Sequence, residues 1–96
     1  MEVKGFQELM RQIYFHRDSK RGAYGTFLWL LEEIAELGKA IPRNDRKNLE
    51  DEFADVLAWL CSLANVLNVD LEKAALAKYA GKCPKCGFKV CRCPEA

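Results

Sequence analysis

Two short acidic stretches carry the residue types and spacings best suited to chemistry: Glu32-Glu33-Ile34-Ala35-Glu36 and Asp51-Glu52-Phe53-Ala54-Asp55. Each places two adjacent carboxylates before a third at the next helical turn, so a helix would present each set as a triad on one side. If the two stretches form an antiparallel hairpin with its tip near Asn44, Glu36 falls opposite Glu52 and Glu33 opposite Asp55. Carboxylates brought to ~4 Å repel by roughly 4 kcal/mol per pair at an effective dielectric of about 20, so such a cluster requires protons or cations. Solvated helix faces are the plainer reading of either stretch alone. The matched register, and the strongly apolar helices that both stretches interrupt, favour a metal site.

Oxygen ligands alone select hard cations, Mg²⁺ first and Mn²⁺ as its substitute. A di-iron bundle would want Glu-x-x-His pairs, and the single histidine, His16, stands on neither triad. Carboxylates that hold Mg²⁺ attract a pyrophosphate-bearing substrate, which they would otherwise repel, and prepare it for attack at phosphorus. The same register sets Trp29 opposite Trp59, one turn from the carboxylates. Two indoles there would make a nucleobase platform, each stacked base being worth about 1–3 kcal/mol; core tryptophans are the alternative.

The elements that must position these groups are helical. Phe6, Leu9, Met10, Ile13 and Tyr14 recur at helical spacing and predict a first helix from Val3 to His16. Asp18-Ser19-Lys20-Arg21-Gly22 reads as a polar link, either solvated or offering Lys20 or Arg21 to a phosphate. A second helix is expected from Thr26, as N-cap, to Ile41, where Pro42 disfavours continuation. Gly38 within it reads either as a close-approach point or as a tolerated glycine. Beyond the tip at residues 42–47, a third helix is expected from Asn48, its first turn favouring acidic residues and so accounting for Asp51.

That third helix continues from Val56 to Leu67 without a charge on any face, and a helix apolar all round must be buried all round. In so small a chain the cover would be another copy, which predicts a homo-oligomer, dimer or tetramer. Asp70 is placed to cap a fourth helix through Tyr79. The expected fold is all-α and four-helix-bundle-like over residues 1–80, with a cysteine-rich tail over 81–96.

A chain of 96 residues suits one small domain, and half of its residues are apolar. The formal net charge of +1 calls for no nucleic-acid partner. The start lacks the basic and apolar regions of a secretory signal, and the uncharged run from Val56 to Val69 is too short for a bilayer, so no membrane partner is expected and the location reads as cytoplasmic. Of the five cysteines, four crowd the last fourteen residues. In a reducing compartment that crowding suggests metal before disulfide. Cys83-Pro84-Lys85-Cys86-Gly87 has the form of a zinc knuckle; Cys91-Arg92-Cys93 is a less usual second half whose closeness makes a single Cys₄ site for Zn²⁺ tight.

Glu32-Glu33-x-x-Glu36, a gap of fifteen residues, then Glu52-x-x-Asp55 resembles the MazG-like nucleotide pyrophosphohydrolases, all-α enzymes of the dimeric dUTPase superfamily. The resemblance runs from about Phe6 to Tyr79. It includes Arg21-Gly22 through Trp29-Leu30, and Val69-Asp70-Leu71-Glu72-Lys73-Ala74 leading to Lys78. It implies Mg²⁺-dependent hydrolysis of nucleoside triphosphates to monophosphate and pyrophosphate, in nucleotide-pool housecleaning or control. Glu33, Glu36, Glu52 and Asp55 would then be metal ligands, with Glu32 a water-orienting base, an extra ligand or a support behind the ligands. Trp59 would lie near the base and Lys78 near phosphate, although the basic, aromatic ending of many relatives is replaced here by the cysteine tail. A non-enzymatic helical dimer with an adaptor tail for nucleic acid or protein is the second reading, and it leaves the matched carboxylates unexplained.

Overall fold

Gly22 decides how the chain is laid out. In the computed structural model, which describes residues 1–95, the first helix α1 runs from Val3 to Ala40 and departs from helical geometry only at Gly22, with φ 81° and ψ 175°. A side chain resists that conformation, whereas glycine adopts it freely. Up to this point the helix is continuous through Asp18–Arg21, the segment expected to be a link. Asp18 and Arg21 are three residues apart in helical register, and the Arg21 guanidinium donates to Asp18 Oδ1 at 2.7 Å. Thr26 is not an N-cap: its hydroxyl, fully buried, donates to the Gly22 carbonyl at 2.8 Å and so satisfies an acceptor that the break exposes.

The remaining helices are α2 (Arg46–Val66) and α3 (Leu71–Lys78), and no strand occurs among the described residues. The all-α expectation holds, with three helices in place of four because the first two are one broken helix. The tip closes through Asn44, whose φ of 50° is one that asparagine tolerates and whose N–H donates to the Ile41 carbonyl. Asp45, rather than Asn48, caps α2 by accepting from the Lys47 N–H at 3.2 Å. Asp70 caps α3, accepting from the Lys73 N–H at 3.0 Å. Gly38 faces open space, so no close helix approach depends on it.

Contacts along α2 show what the break does. Trp29 of α1 meets Trp59 of α2, and Gln7 of α1 meets Asn65. Twenty-two residues of α1 thus correspond to only six of α2, so the half of α1 before Gly22 crosses α2 while the half after it runs antiparallel to α2. The crossing is pinned by a buried amide pair. Gln7 donates to Asn65 Oδ1 at 3.0 Å and to the Val69 carbonyl at 2.7 Å, and it accepts from the Leu71 N–H at 3.0 Å. Asn65 in turn donates to the Gln7 carbonyl at 3.1 Å, so two side chains bind all three helices and leave few of their own polar groups unsatisfied.

The core of the single chain is small: Met10, Leu30, Ala40, Cys61 and Ala64 are its buried apolar residues. Leu28, Ile34, Phe53, Leu57 and Leu60 remain exposed, on the antiparallel half of α1 and on α2. The accessible surface is 7436 Å², against about 5,600 Å² expected for a folded monomer of 11.0 kDa. No single helix among the described residues is long and apolar enough to cross a membrane, and α2 and α3 are set at 97° to one another.

Candidate functional site

The antiparallel part of the hairpin delivers three carboxylates to one place. Glu33 projects from α1, beyond the Gly22 break; Glu52 and Asp55 lie one turn apart on α2. One oxygen from each lies within 4.8 Å of the other two. Burial pushes the Glu33 carboxyl above its ordinary value, and the neighbouring charges of Asp55, Glu52, Glu36 and Glu32 push it further. Glu52 Oε2 is buried and has no hydrogen-bond partner. An acceptor stripped of water and offered no donor is costly, and the cost falls away when a cation takes its lone pairs. This donor set, all oxygen and negative, therefore fits a hard divalent ion.

The other acidic residues are placed differently. Glu36 sits outside the cluster of three, its carboxylate 3.4 Å from the Lys39 ammonium. Glu32 is exposed and borders an open apolar recess with Arg21, Gly25, Leu28, Trp29 and Leu31. Asp51 pairs with Lys47 at 2.9 Å on the outside of α2.

Beside the carboxylates the two indoles stack, with ring centroids 5.7 Å apart and planes inclined by 13°. The Arg21 guanidinium lies 4.8 Å from the Trp59 ring, a cation–π contact that holds it close to the site. Asp55 and Trp59 also form one wall of a cavity of about 300 Å³, whose other wall is Tyr14, Arg17, Asp18 and Arg21 of α1. Asp18 is only 2% exposed, and its Oδ2 has no partner. Sequence reading missed Asp18, Arg17 and Tyr14, because Asp18 looked like part of a polar link. The available signal was the three-residue spacing of Asp18 and Arg21, which suits a helix as well as a loop.

Lys78 is remote from this constellation. It ends α3 with its ammonium 5.8 Å from the Tyr79 ring, and α3 packs near Lys4 and Gln7, where the Lys4 N–H donates to Glu72. Lys20 is exposed, two residues before the break. At the other end of the chain, Cys83, Cys86, Cys91 and Cys93 bring their sulfurs together into a second group able to hold a metal.

A helical hairpin with clustered carboxylates at its centre and indoles beside them defines an all-α protein with an acidic, metal-compatible site. The family model for the MazG nucleotide pyrophosphohydrolase domain matches residues 23–87, more than half of the chain, and the chain belongs to that family. The matched span opens just past the Gly22 break, contains Glu33, Glu52 and Asp55, and ends inside the Cys83–Gly87 turn. No curated protein matches the chain.

Proposed function

We propose that this protein hydrolyses nucleoside triphosphates to the monophosphate and pyrophosphate with Mg²⁺, or Mn²⁺ in its stead, and does so as a homo-oligomer. The observation that carries the reading is the meeting of Glu33, Glu52 and Asp55, with a buried oxygen of Glu52 left without a donor, inside the span shared with the MazG family. Those three residues would hold the ion. Glu36 is the fourth ligand by its place one turn beyond Glu33, its present contact with Lys39 being an exposed one that water screens. Bound there, Mg²⁺ supplies the positive charge that lets a triphosphate approach an acidic surface and that offsets the charge gathering on the leaving pyrophosphate.

The chain's own groups do the rest. Glu32 stands beside the cluster without an ion-pair partner and is the candidate to take a proton from the attacking water as the bond between the α-phosphorus and its bridging oxygen breaks. Trp29, about half exposed, offers indole surface to a base, and Trp59 backs it. Arg21, held between Asp18 and Trp59, is within the same neighbourhood as a phosphate contact. Lys78 would reach substrate only from a neighbouring copy. The exposed apolar face and the surface excess support such a copy.

The test is pyrophosphate release across a panel of normal and damaged nucleoside triphosphates, with Mg²⁺ and with chelator. Turnover of at least one of them, lost on chelation, is expected, and preference for damaged bases would point to housecleaning. No turnover of any nucleotide by folded, Mg²⁺-supplied protein would overturn the assignment.

A further inference from the structure

The C-terminal segment poses a problem that the hydrolase reading does not touch. Between Tyr79 and Glu95 only Cys83, Cys86 and Cys93 are even half-buried, and every other residue is exposed. Ordering such a segment costs conformational entropy, and no apolar core is present to offset it. Yet the backbone closes on itself: the Gly87 N–H donates to the Cys83 carbonyl and the Cys83 N–H to the Phe88 carbonyl, both at 2.9 Å. Gly87 makes this closure possible with φ 77°.

What the closure accomplishes is the gathering of four thiols. All four sulfurs lie within 4.8 Å of one another, and Cys83 Sγ is 3.8 Å from Cys93 Sγ. Sulfurs held about 2.3 Å from one zinc ion lie about 3.8 Å apart along the edges of a tetrahedron, so the Cys83–Cys93 separation is that of one such edge and the other sulfurs are close enough to complete it. The sulfurs are also prepared for negative charge. The Arg92 N–H points at Cys86 Sγ from 3.4 Å and the Cys93 N–H at Cys91 Sγ from 3.3 Å. The Cys91-x-Cys93 half, tight on sequence spacing alone, closes because its own backbone turns an amide onto the first of its two sulfurs.

We infer that Cys83, Cys86, Cys91 and Cys93 form a closed structural zinc site, and that the fold of residues 83–93 depends on it. Soft thiolates at tetrahedral spacing select Zn²⁺ over the hard cation of the carboxylate site. Four protein ligands leave no position open for water, so the ion does no chemistry. Zn²⁺ with four thiolates carries a charge of −2, and the same short segment supplies Lys82, Lys85, Lys89 and Arg92 to offset it, the last stacked on Phe88 at 4.4 Å.

Metal analysis of untagged protein, purified under reducing conditions, should find one zinc per chain. Replacing it with Co²⁺ should produce the intense near-ultraviolet sulfur-to-cobalt absorption and the visible bands of a tetrahedral thiolate site. Those bands should be lost in Cys83→Ser, Cys86→Ser, Cys91→Ser and Cys93→Ser alike. They should persist in Glu33→Gln/Glu52→Gln, which separates this site from the acidic one whatever becomes of the hydrolase reading. Chelation should open residues 80–95 to protease while far-ultraviolet circular dichroism holds the helices constant. Absence of zinc together with absence of the cobalt–thiolate bands would overturn the inference. So would bands that survive in Cys91→Ser and Cys93→Ser, or a disulfide within the cluster of the reduced protein.

Discussion

The carboxylate cluster and the thiol cluster gather like charges in opposite ways. Glu33, Glu52 and Asp55 are brought together by two long helices whose packing exists for other reasons, so the scaffold bears their repulsion. Cys83, Cys86, Cys91 and Cys93 are brought together by a short loop that buries almost nothing. A preformed site can leave a position free for substrate, because the metal is not needed to hold the fold. A site that is its own scaffold must spend every ligand on closure. The difference teaches that metal removal should silence one region and unfold the other.

The largest expected effect breaks the comparison at its acidic end. Glu52→Gln should lower pyrophosphate release by about 100-fold or more, since loss of even an outer partner of a metal ligand costs 10–100-fold. The same change removes a like charge beside Glu33, so metal-free protein should melt no lower than wild type, as calorimetry would show. An unaltered rate would exclude Glu52 from the metal set.

Next come the two glycines that shape the two regions, Gly22 with φ 81° and Gly87 with φ 77°. A side chain forced into such positive-φ backbone costs on the order of 1–3 kcal/mol. Gly22→Ala should therefore lower the melting temperature by about 4–8 °C per kcal/mol. Gly87→Ala should leave helix melting in place and weaken only cobalt–thiolate absorption. Equal loss of helix stability in both variants would mean that the tail and the hairpin are one cooperative unit.

A smaller effect separates the two regions by pH. The Glu33 carboxyl is raised by burial and then by its acidic neighbours, so its contribution to stability is complete below the ordinary glutamate value and is lost as pH rises through the raised one. Metal-free protein should thus lose some thermal stability from pH 4.5 upward, and Mg²⁺ should flatten that slope. In the folded tail, backbone N–H groups of Arg92 and Phe88 bring the Cys86 thiol down to about 6, whereas thiol neighbours, Cys91 first, push Cys93 up to about 11. Chelation opens the tail and removes those contacts, so alkylation at pH 7 should then mark Cys86 and Cys93 alike. The smallest effect is that of Lys47→Ala, which removes an exposed, water-screened pair with Asp51 and should leave the melting temperature and turnover at the wild-type values.

Much of this layout was legible from the chain alone. Helical periodicity, the breakers at 42–44 and the Asp70 cap identified the all-α hairpin and set Glu33 near Asp55, because these signals are local or follow from register. Helix continuity through Asp18–Arg21 was not legible, since the same polar residues suit a loop until Asp18 is seen to be buried against Arg21. The separation of Glu36 from Glu33, Glu52 and Asp55 was hidden for a different reason. Its contact with Lys39 is a choice of rotamer on one helix, and spacing does not encode rotamers. The cavity wall of Tyr14, Arg17 and Asp18 depends on how sharply α1 turns at Gly22, a tertiary quantity that no short window contains.

The stacked pair described above has an optical consequence. Trp29 and Trp59 are the two tryptophans of the chain, so all of its indole emission arises beside the acidic cluster. Rings 5.7 Å apart and nearly parallel share excitation, and the guanidinium 4.8 Å from one of them adds a local field. The unmodified protein is thus its own spectroscopic probe, and metal or nucleotide arriving at this site is observable as a change in colour and intensity without any label.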